Sequence, residues 1–286
     1  MTAFLPELPH LMVEDAVRAA LLEDWGRAGD ITSQATIGPD VSASAVIAAR
    51  KNGVLAGIDL AITAFALTSP KLKVDVLAGD GARLTPGAIV ARIDGPARAL
   101  LAAERVALNY LGRLSGIATA TARFADAIAH TKAKIVCTRK TTPGLRAFEK
   151  YAVRCGGGSN HRFGLDDAIL IKDNHIAVAG GVAKAIHSAK AFAGHLVKIE
   201  VEVDTLDQLR EALEAKPDVI MLDNMGPDRL REAVAIAGGK VLLEASGGID
   251  ETTVRAVAEA GVDLISSGWI THSAPVLDLG LDIGIG

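Results

Sequence analysis

From Ala133 to Gly268 the chain repeats one pattern: a short, almost wholly apolar stretch closed by a charged or hydroxyl-bearing side chain, then a helical stretch. The apolar stretches are AKIVCTRK, DAILIKD, HLVKIEVEVD, DVIMLDN, KVLLEAS and VDLISSG. The last four recur at roughly 22-residue intervals, enough for a strand, a helix and two turns. TLDQLREALEA, GPDRLREAVAIAG and DETTVRAVAEAG supply helical spacing between them. Strands without a polar face are buried on both sides, which predicts a parallel sheet covered by helices. An open doubly wound sheet and a barrel both satisfy that pattern. The strand endings favour the barrel: Arg139–Lys140, Lys172–Asp173, Glu202 with Asp204, Asp223–Asn224, Glu244 with Ser246, and Ser266–Ser267. A (β/α) barrel gathers such carboxyl-terminal groups on one face. Six strands fall short of eight, so the expectation is an α/β fold with an incomplete TIM-like barrel.

The preceding region has a different rhythm. VEDAVRAALLE predicts a helix over 13–23, ended by DWGRAGDITS. Between Ser42 and Ile93, short Val/Ile/Leu stretches alternate with turn sequences such as AGDG and TPG, which predicts a small antiparallel sheet. ARALLAAERVALNYLGRLSGIATATARFADAIAH reads as helix, with a break expected at Gly112 or Ser115–Gly116. Aromatics are only 3% of a chain that is 50% hydrophobic, so the core is aliphatic. A formal net charge of −4 gives no general attraction to nucleic acid or an anionic membrane. The acidic N-terminal stretch does not read as a signal peptide, and no apolar run approaches the roughly 20 residues that span a bilayer. Cys137 and Cys155 lack disulfide or metal-site spacing and read as reduced thiols of a cytoplasmic protein.

Three sets of residues carry chemistry. Arg139, Lys140, Arg162 and Lys172 stand at strand ends facing the barrel mouth, and GGGSNHRFG places His161 beside Arg162. Buried cations are costly unless an anion accompanies them, and guanidinium forks match carboxylates or phosphates. Arg146, Lys150 and Arg154 read instead as the solvated face of a helix. Glu202 and Asp223 end consecutive strands. Such a pair suits Mg²⁺, and equally suits ion pairing with the neighbouring lysines. LEASGGID and LISSGWITHSA follow the last two strands, where glycine-rich turns opening helices offer backbone N–H groups to a phosphate. The sum is a small acid at one side of the mouth and a phosphate or pyrophosphate compound at the other. There is no nucleophile elbow and no dinucleotide fingerprint, which favours direct displacement. A Schiff-base role for Lys172 and a non-catalytic phosphate-binding barrel stay open on these residues alone.

TRKTTPGLRAFEKYAVRCGGGSNHRFGLDDAILIKDNH closely resembles the core signature of the quinolinate phosphoribosyltransferase family. LLEDWGRAGDITS, AERVALNYLGRLSGIAT, EVEVDTLDQL, IMLDNM, LEASGGI and THSAPVLDLGLDI extend the likeness over nearly the whole chain. The resemblance implies an N-terminal α/β sandwich over 1–115, joined by the tail 274–286, and a six- to seven-stranded barrel over 116–273. It implies phosphoribosyl transfer from 5-phosphoribosyl-1-pyrophosphate to quinolinate with decarboxylation, in NAD biosynthesis, with Mg²⁺ required. A paralogue with another heteroaromatic acceptor is the alternative. By the same likeness Arg139, His161, Arg162 and Lys172 hold quinolinate, and Arg105 joins them from the partner subunit of a homodimer that can assemble further. Lys140 and Lys172 lie near the pyrophosphate, and Glu202 and Asp223 serve Mg²⁺ and the ribose. Ser246, Gly247, Gly248, Ser267, Gly268 and His272 line the 5-phosphate site. Lys140, Lys172, Glu202 and Asp223 are the catalytic set. Trp269 is bulky where a small residue is expected.

Overall fold

The computed structural model describes residues 5–284. The first four residues of the N-terminal stretch and the last two of the tail lie outside the described residues. Two compact units result. One runs up to Ala120 and takes in Ala147–Gly157 and the segment from Ala274 onward; the other holds Thr121–Arg146 and Gly158–Ser273.

In the first unit, helix α1 (His10–Trp25) buries Val13, Val17 and Leu21 along one stripe. Helix α2 (Ile31–Thr36) is capped by Asp30, whose carboxylate accepts the Ser33 N–H at 2.9 Å. Strands β1 (Ser42–Ala49) and β2 (Gly53–Val54) precede helix α3 (Ile58–Thr68), followed by β3 (Lys73–Val76), β4 (Arg83–Leu84) and β5 (Ile89–Pro96). β1, β5 and β3 pair antiparallel, while β2 and β4 form a separate ribbon. Helix α3 corrects the expectation of strands throughout. Ile58, Leu60, Ala61, Ala64 and Phe65 are buried, but the less buried side carries Ile62, Ala66 and Leu67 as well as Asp59 and Thr63, so the polar stripe that reveals a helical period is faint. Asp80 accepts the Gly57 and Ile58 N–H groups at its start, at 2.9 and 3.0 Å.

Helix α4 (Ala97–Ile128) is continuous, so the expected break at Gly112 or Ser115–Gly116 is absent. The glycines serve close approach instead. A Cβ on Gly116 would stand 2.1 Å from the Pro275 carbonyl oxygen, and one on Gly112 would stand 2.8 Å from Val276 Cγ1. The tail thus lies directly on the helix, with Leu277 N–H donating to the Gly112 carbonyl at 2.9 Å.

After β6 (Lys134–Val136) comes helix α5 (Arg146–Cys155), which is not the solvated face expected of Arg146, Lys150 and Arg154. Lys150 is fully buried, and Arg146 and Arg154 are half-buried. Buried Glu149 beside Lys150 accepts from Arg113 at 2.7 Å. Both cysteines are buried and unbridged.

The second unit continues with β7 (Ile169–Ile171), α6 (Asp173–Ala179), α7 (Val182–Phe192), β8 (Ile199–Val203), α8 (Leu206–Ala215) and β9 (Val219–Asp223). Then follow α9 (Pro227–Ala237), β10 (Leu242–Ser246), α10 (Val254–Glu259), β11 (Leu264–Ser266) and α11 (Trp269–His272). The six expected strands form one sheet in the order β6-β11-β10-β9-β8-β7, and every pair is parallel. A doubly wound sheet reverses strand order part-way. Here β7 to β11 follow chain order and β6 joins beside β11, the circular order of a barrel. On the free side of β6, Ser159 makes an isolated parallel bridge to Val136. That single bridge occupies the place of a seventh strand. The final strand, β12 (Leu279–Gly284), belongs to the first unit and pairs antiparallel with β1. Among the described residues no helix is long and apolar enough to cross a membrane.

Candidate active site

The parallel strands aim their carboxyl ends at one cavity of about 860 Å³. Arg139 and Lys140 enter it after β6, Lys172 at the end of β7, Glu202 from β8 and Asp223 from β9. His161 and Arg162 enter it two and three residues after the Ser159 bridge. The glycine run therefore lets the chain turn out of α5 and lie along β6 before delivering both side chains to the mouth. Ser246, Gly247, Gly248, Ser267, Gly268 and His272 complete the wall. Arg105 is not among the lining residues. It is an exposed residue of α4, 3.7 Å from Glu104.

The cationic side is partly buried. The Nε atoms of Arg139 and Arg162 are both shielded from solvent and have no hydrogen-bond partner among the described residues. Burial holds the Arg162 guanidinium below its usual value, and the charge of Arg139 adds to this, while Asp167 and Glu200 oppose it. A guanidinium stays protonated in proteins, so such crowding is relieved by an anion. Arg162 Nη1 donates to the Ala168 carbonyl at 3.1 Å, which fixes the direction of the side chain.

Beside these cations lie two acids, Glu200 and Glu244, to which sequence reading gave no role in the site. His161 Nε2 is 2.8 Å from Glu200 Oε2 and 3.9 Å from Glu244 Oε1. The signal for both acids was the two-residue period of a strand: Glu200 shares a face with Glu202, and Glu244 with Ser246. Burial pushes the Glu244 carboxyl up to about 7, Glu200 adds to the rise, and His161 and the Ser266 hydroxyl oppose it.

On the acidic side, Lys172 Nζ donates to Glu202 Oε2 at 2.8 Å, so the ion-pairing alternative holds in this structure. Burial raises the Asp223 carboxyl, Glu202 and Asp204 raise it further, and Lys172 and Lys140 oppose. Asn224, which sequence reading named only as a polar strand ending, is left-handed at φ 53° and donates to Asp223 Oδ2 at 2.5 Å. Its fit requires Gly247, where a Cβ would stand 2.2 Å from Asn224 Oδ1.

The glycine loops differ from expectation in one respect. Helix α10 does not open directly after Gly248 but at Val254, because Asp250 accepts the N–H groups of Thr252 and Thr253 and makes a turn first. The Ser267 hydroxyl is buried and donates to the Ile249 carbonyl at 2.9 Å, tying the two loops together. A Cβ on Gly268 would stand 2.8 Å from Lys140 Cδ, so glycine is what lets Lys140 cross this loop. Trp269 packs its ring on Phe124, with centroids 6.0 Å apart.

Models of the quinolinate phosphoribosyl transferase N-terminal and C-terminal domains match residues 30–115 and 117–282. The chain belongs to this family. It is 46% identical over 274 residues to a probable nicotinate-nucleotide pyrophosphorylase [carboxylating] of Bacillus subtilis, covering 96% of this chain and 94% of the relative. It is 44% identical over 276 residues to the nicotinate-nucleotide pyrophosphorylase [carboxylating] of Mycobacterium leprae, covering 94% and 96%. Among solved structures, the nicotinate-nucleotide pyrophosphorylase from Francisella tularensis superimposes with a TM-score of 0.94 at 42% identity, over 99% of this chain and 100% of that one. The protein of that name from Ehrlichia chaffeensis gives 0.90 at 39% identity, over 94% and 98%. Family membership carries the incomplete barrel with its N-terminal domain.

Proposed function

We propose that this chain transfers the phosphoribosyl group of 5-phosphoribosyl-1-pyrophosphate to the ring nitrogen of quinolinate and releases carbon dioxide, giving nicotinate mononucleotide and pyrophosphate in NAD biosynthesis. The observation that carries this reading is the pair of buried, unpartnered guanidinium Nε atoms of Arg139 and Arg162 in one cavity. Two such cations suit an acid with two carboxylates, and each charge-assisted bond contributes about 1.5–3 kcal/mol. The Gly247–Gly248 and Ser267–Gly268 loops across the cavity take the 5-phosphate, with His272 beside them.

As pyrophosphate leaves, the ribose gains positive charge, and Glu202 and Asp223 stabilise it. Lys140 and Lys172 face the departing phosphates, and breaking the Lys172–Glu202 pair frees both side chains for these tasks. Alkylation makes the ring nitrogen cationic. Loss of the adjacent carboxylate then leaves an electron pair beside that positive nitrogen, which stabilises it until a proton replaces the carbon dioxide. Lys172 orients the departing carboxylate.

Mg²⁺ fits the donor set. Glu202 and Asp223 offer oxygens, and the like-charge crowding that raises Asp223 is what a hard cation relieves. When bound, it neutralises charge on the pyrophosphate. The working assembly is a cytoplasmic homodimer in which Arg105 of α4 completes the acid pocket of the other copy.

The test is an assay with purified protein, 5-phosphoribosyl-1-pyrophosphate, Mg²⁺ and either quinolinate or nicotinate. Nicotinate mononucleotide is followed by mass and carbon dioxide by label. Product from quinolinate alone, abolished by chelation, is expected. Product from neither acid overturns the acceptor assignment.

A further inference from the structure

His161 stands at the acid end of the cavity, yet its ring nitrogens are engaged within the protein. The Arg162 backbone N–H donates to Nδ1 at 2.8 Å, and Nε2 lies 2.8 Å from Glu200 Oε2. An amide N–H can only donate, so Nδ1 presents a lone pair. The proton of a neutral ring then sits on Nε2, aimed at Glu200. The tautomer follows from the two contacts together.

We propose that Glu200 is a positioning residue for the acceptor acid, acting through the His161 ring on the main chain and guanidinium of Arg162, with Glu244 closing the relay from β10. This rests on the reading of Arg162 as an acid-holding group. The chain of contacts is short. Glu200 accepts from Nε2–H, the fixed ring accepts the Arg162 N–H, and Arg162 reaches the cavity with its Nη1 held on the Ala168 carbonyl. Glu200 is buried and also acts on Arg162 through its charge. Glu244 is buried at 2% exposure, and its Oε1 is 3.9 Å from His161 Nε2. The groups facing Glu244 are Glu200 on β8, His161 on the segment after the Ser159 bridge, and Ser266 on β11. One Oε1 oxygen on each acid has no hydrogen-bond partner among the described residues, so the relay has spare acceptor capacity toward the cations above it.

The same three side chains could be taken for a metal cage, since a ligand atom from each lies within 4.8 Å of the others. The tautomer argues otherwise. A protonated Nε2 offers no lone pair to a cation, and Nδ1 is turned to the Arg162 N–H.

Glu200→Leu and Glu200→Gln separate the possibilities. A Gln oxygen accepts the same Nε2–H without the charge, and Leu fills the space without accepting. Glu200→Leu is expected to raise KM for quinolinate by roughly tenfold to a hundredfold, the factor for one charge-assisted hydrogen bond misplaced, with a much smaller change in KM for 5-phosphoribosyl-1-pyrophosphate. Glu200→Gln is expected to recover most of the loss. Equal KM for quinolinate in Glu200→Leu and the native protein overturns the proposal, as does a Gln variant no better than Leu.

A second readout needs no substrate: histidine ¹⁵N spectra of the ligand-free protein, with His161 assigned by its loss in His161→Asn. The Nε2–H tautomer is expected in the native protein and in Glu200→Gln, and a tautomer mixture in Glu200→Leu. A native ring protonated on Nδ1, or one whose signals move on adding Zn²⁺, overturns it. Absence of turnover by the native protein counts against the functional reading, and the ring spectrum then still decides the relay.

Discussion

Glu244 shows how one buried side chain links stability to pH. Its carboxyl is raised from 4.5 to about 7, chiefly by burial. A raised carboxyl binds its proton more tightly in the folded state. Its contribution to stability is therefore complete below about 4.5 and is lost as pH rises through about 7. Glu244→Gln removes that step while other carboxylates cancel in the comparison. The melting temperature of Glu244→Gln relative to the native protein should rise between pH 5.5 and 8. A difference that does not change with pH would show that Glu244 is ionised throughout. Most site residues were legible singly, because a charged group after an apolar strand has little reason to be there except to face the mouth. Glu200 and Glu244 were less so. An acid one layer down a strand looks like part of its alternation until the structure shows what it faces.

At the scale of elements, α4 decides between two opposite expectations for glycine. In an exposed helix, Gly→Ala gains about 1 kcal/mol from propensity. At Gly116 a Cβ would meet the Pro275 carbonyl at 2.1 Å, and overpacking against backbone costs about 1–3 kcal/mol. Gly116→Ala should therefore lower the urea midpoint despite better helix propensity. Gly112→Ala should cost less, because its nearest contact is the movable Val276 side chain at 2.8 Å. A stabilised Gly116→Ala would show that the tail does not press on the helix. The same contact explains why a break was expected at these glycines: glycine in a helical run signals either a break or a close neighbour, and only the tail distinguishes them. Helix α3 was hidden for the converse reason, since its less buried positions include Ile62, Ala66 and Leu67, as apolar as its buried ones, and so blur the periodicity by which helices are read. The capped α8 shows the favourable case. Thr205 and Gln208 form a capping box at the expected start of TLDQLREALEA.

At the scale of the whole molecule, the acid pocket tests the assembly. Arg105 is exposed on α4 and outside the cavity lining of its own chain. If a second copy supplies it, Arg105→Ala and Arg162→Ala proteins should each be nearly inactive alone. Mixed and allowed to exchange subunits, they should regain part of the native activity, because one site of a hetero-dimer then holds both arginines. No recovery after demonstrated exchange would mean that each chain builds its site alone.

The sequence by itself determined the six strands, their parallel pairing and the polar character of their carboxyl ends. These follow from local pattern: an apolar run without a polar face must be buried on both sides, and the polar groups at its carboxyl end mark the face that carries the mouth. Only the tertiary structure decided that strand order is the circular one of an incomplete barrel, that one bridge at Ser159 takes the seventh place, and that His161 engages both ring nitrogens within the protein. Those depend on contacts between residues far apart in the chain, such as His161 with Glu200 and Gly116 with Pro275. No local period encodes such contacts; they are set by how the packed elements meet.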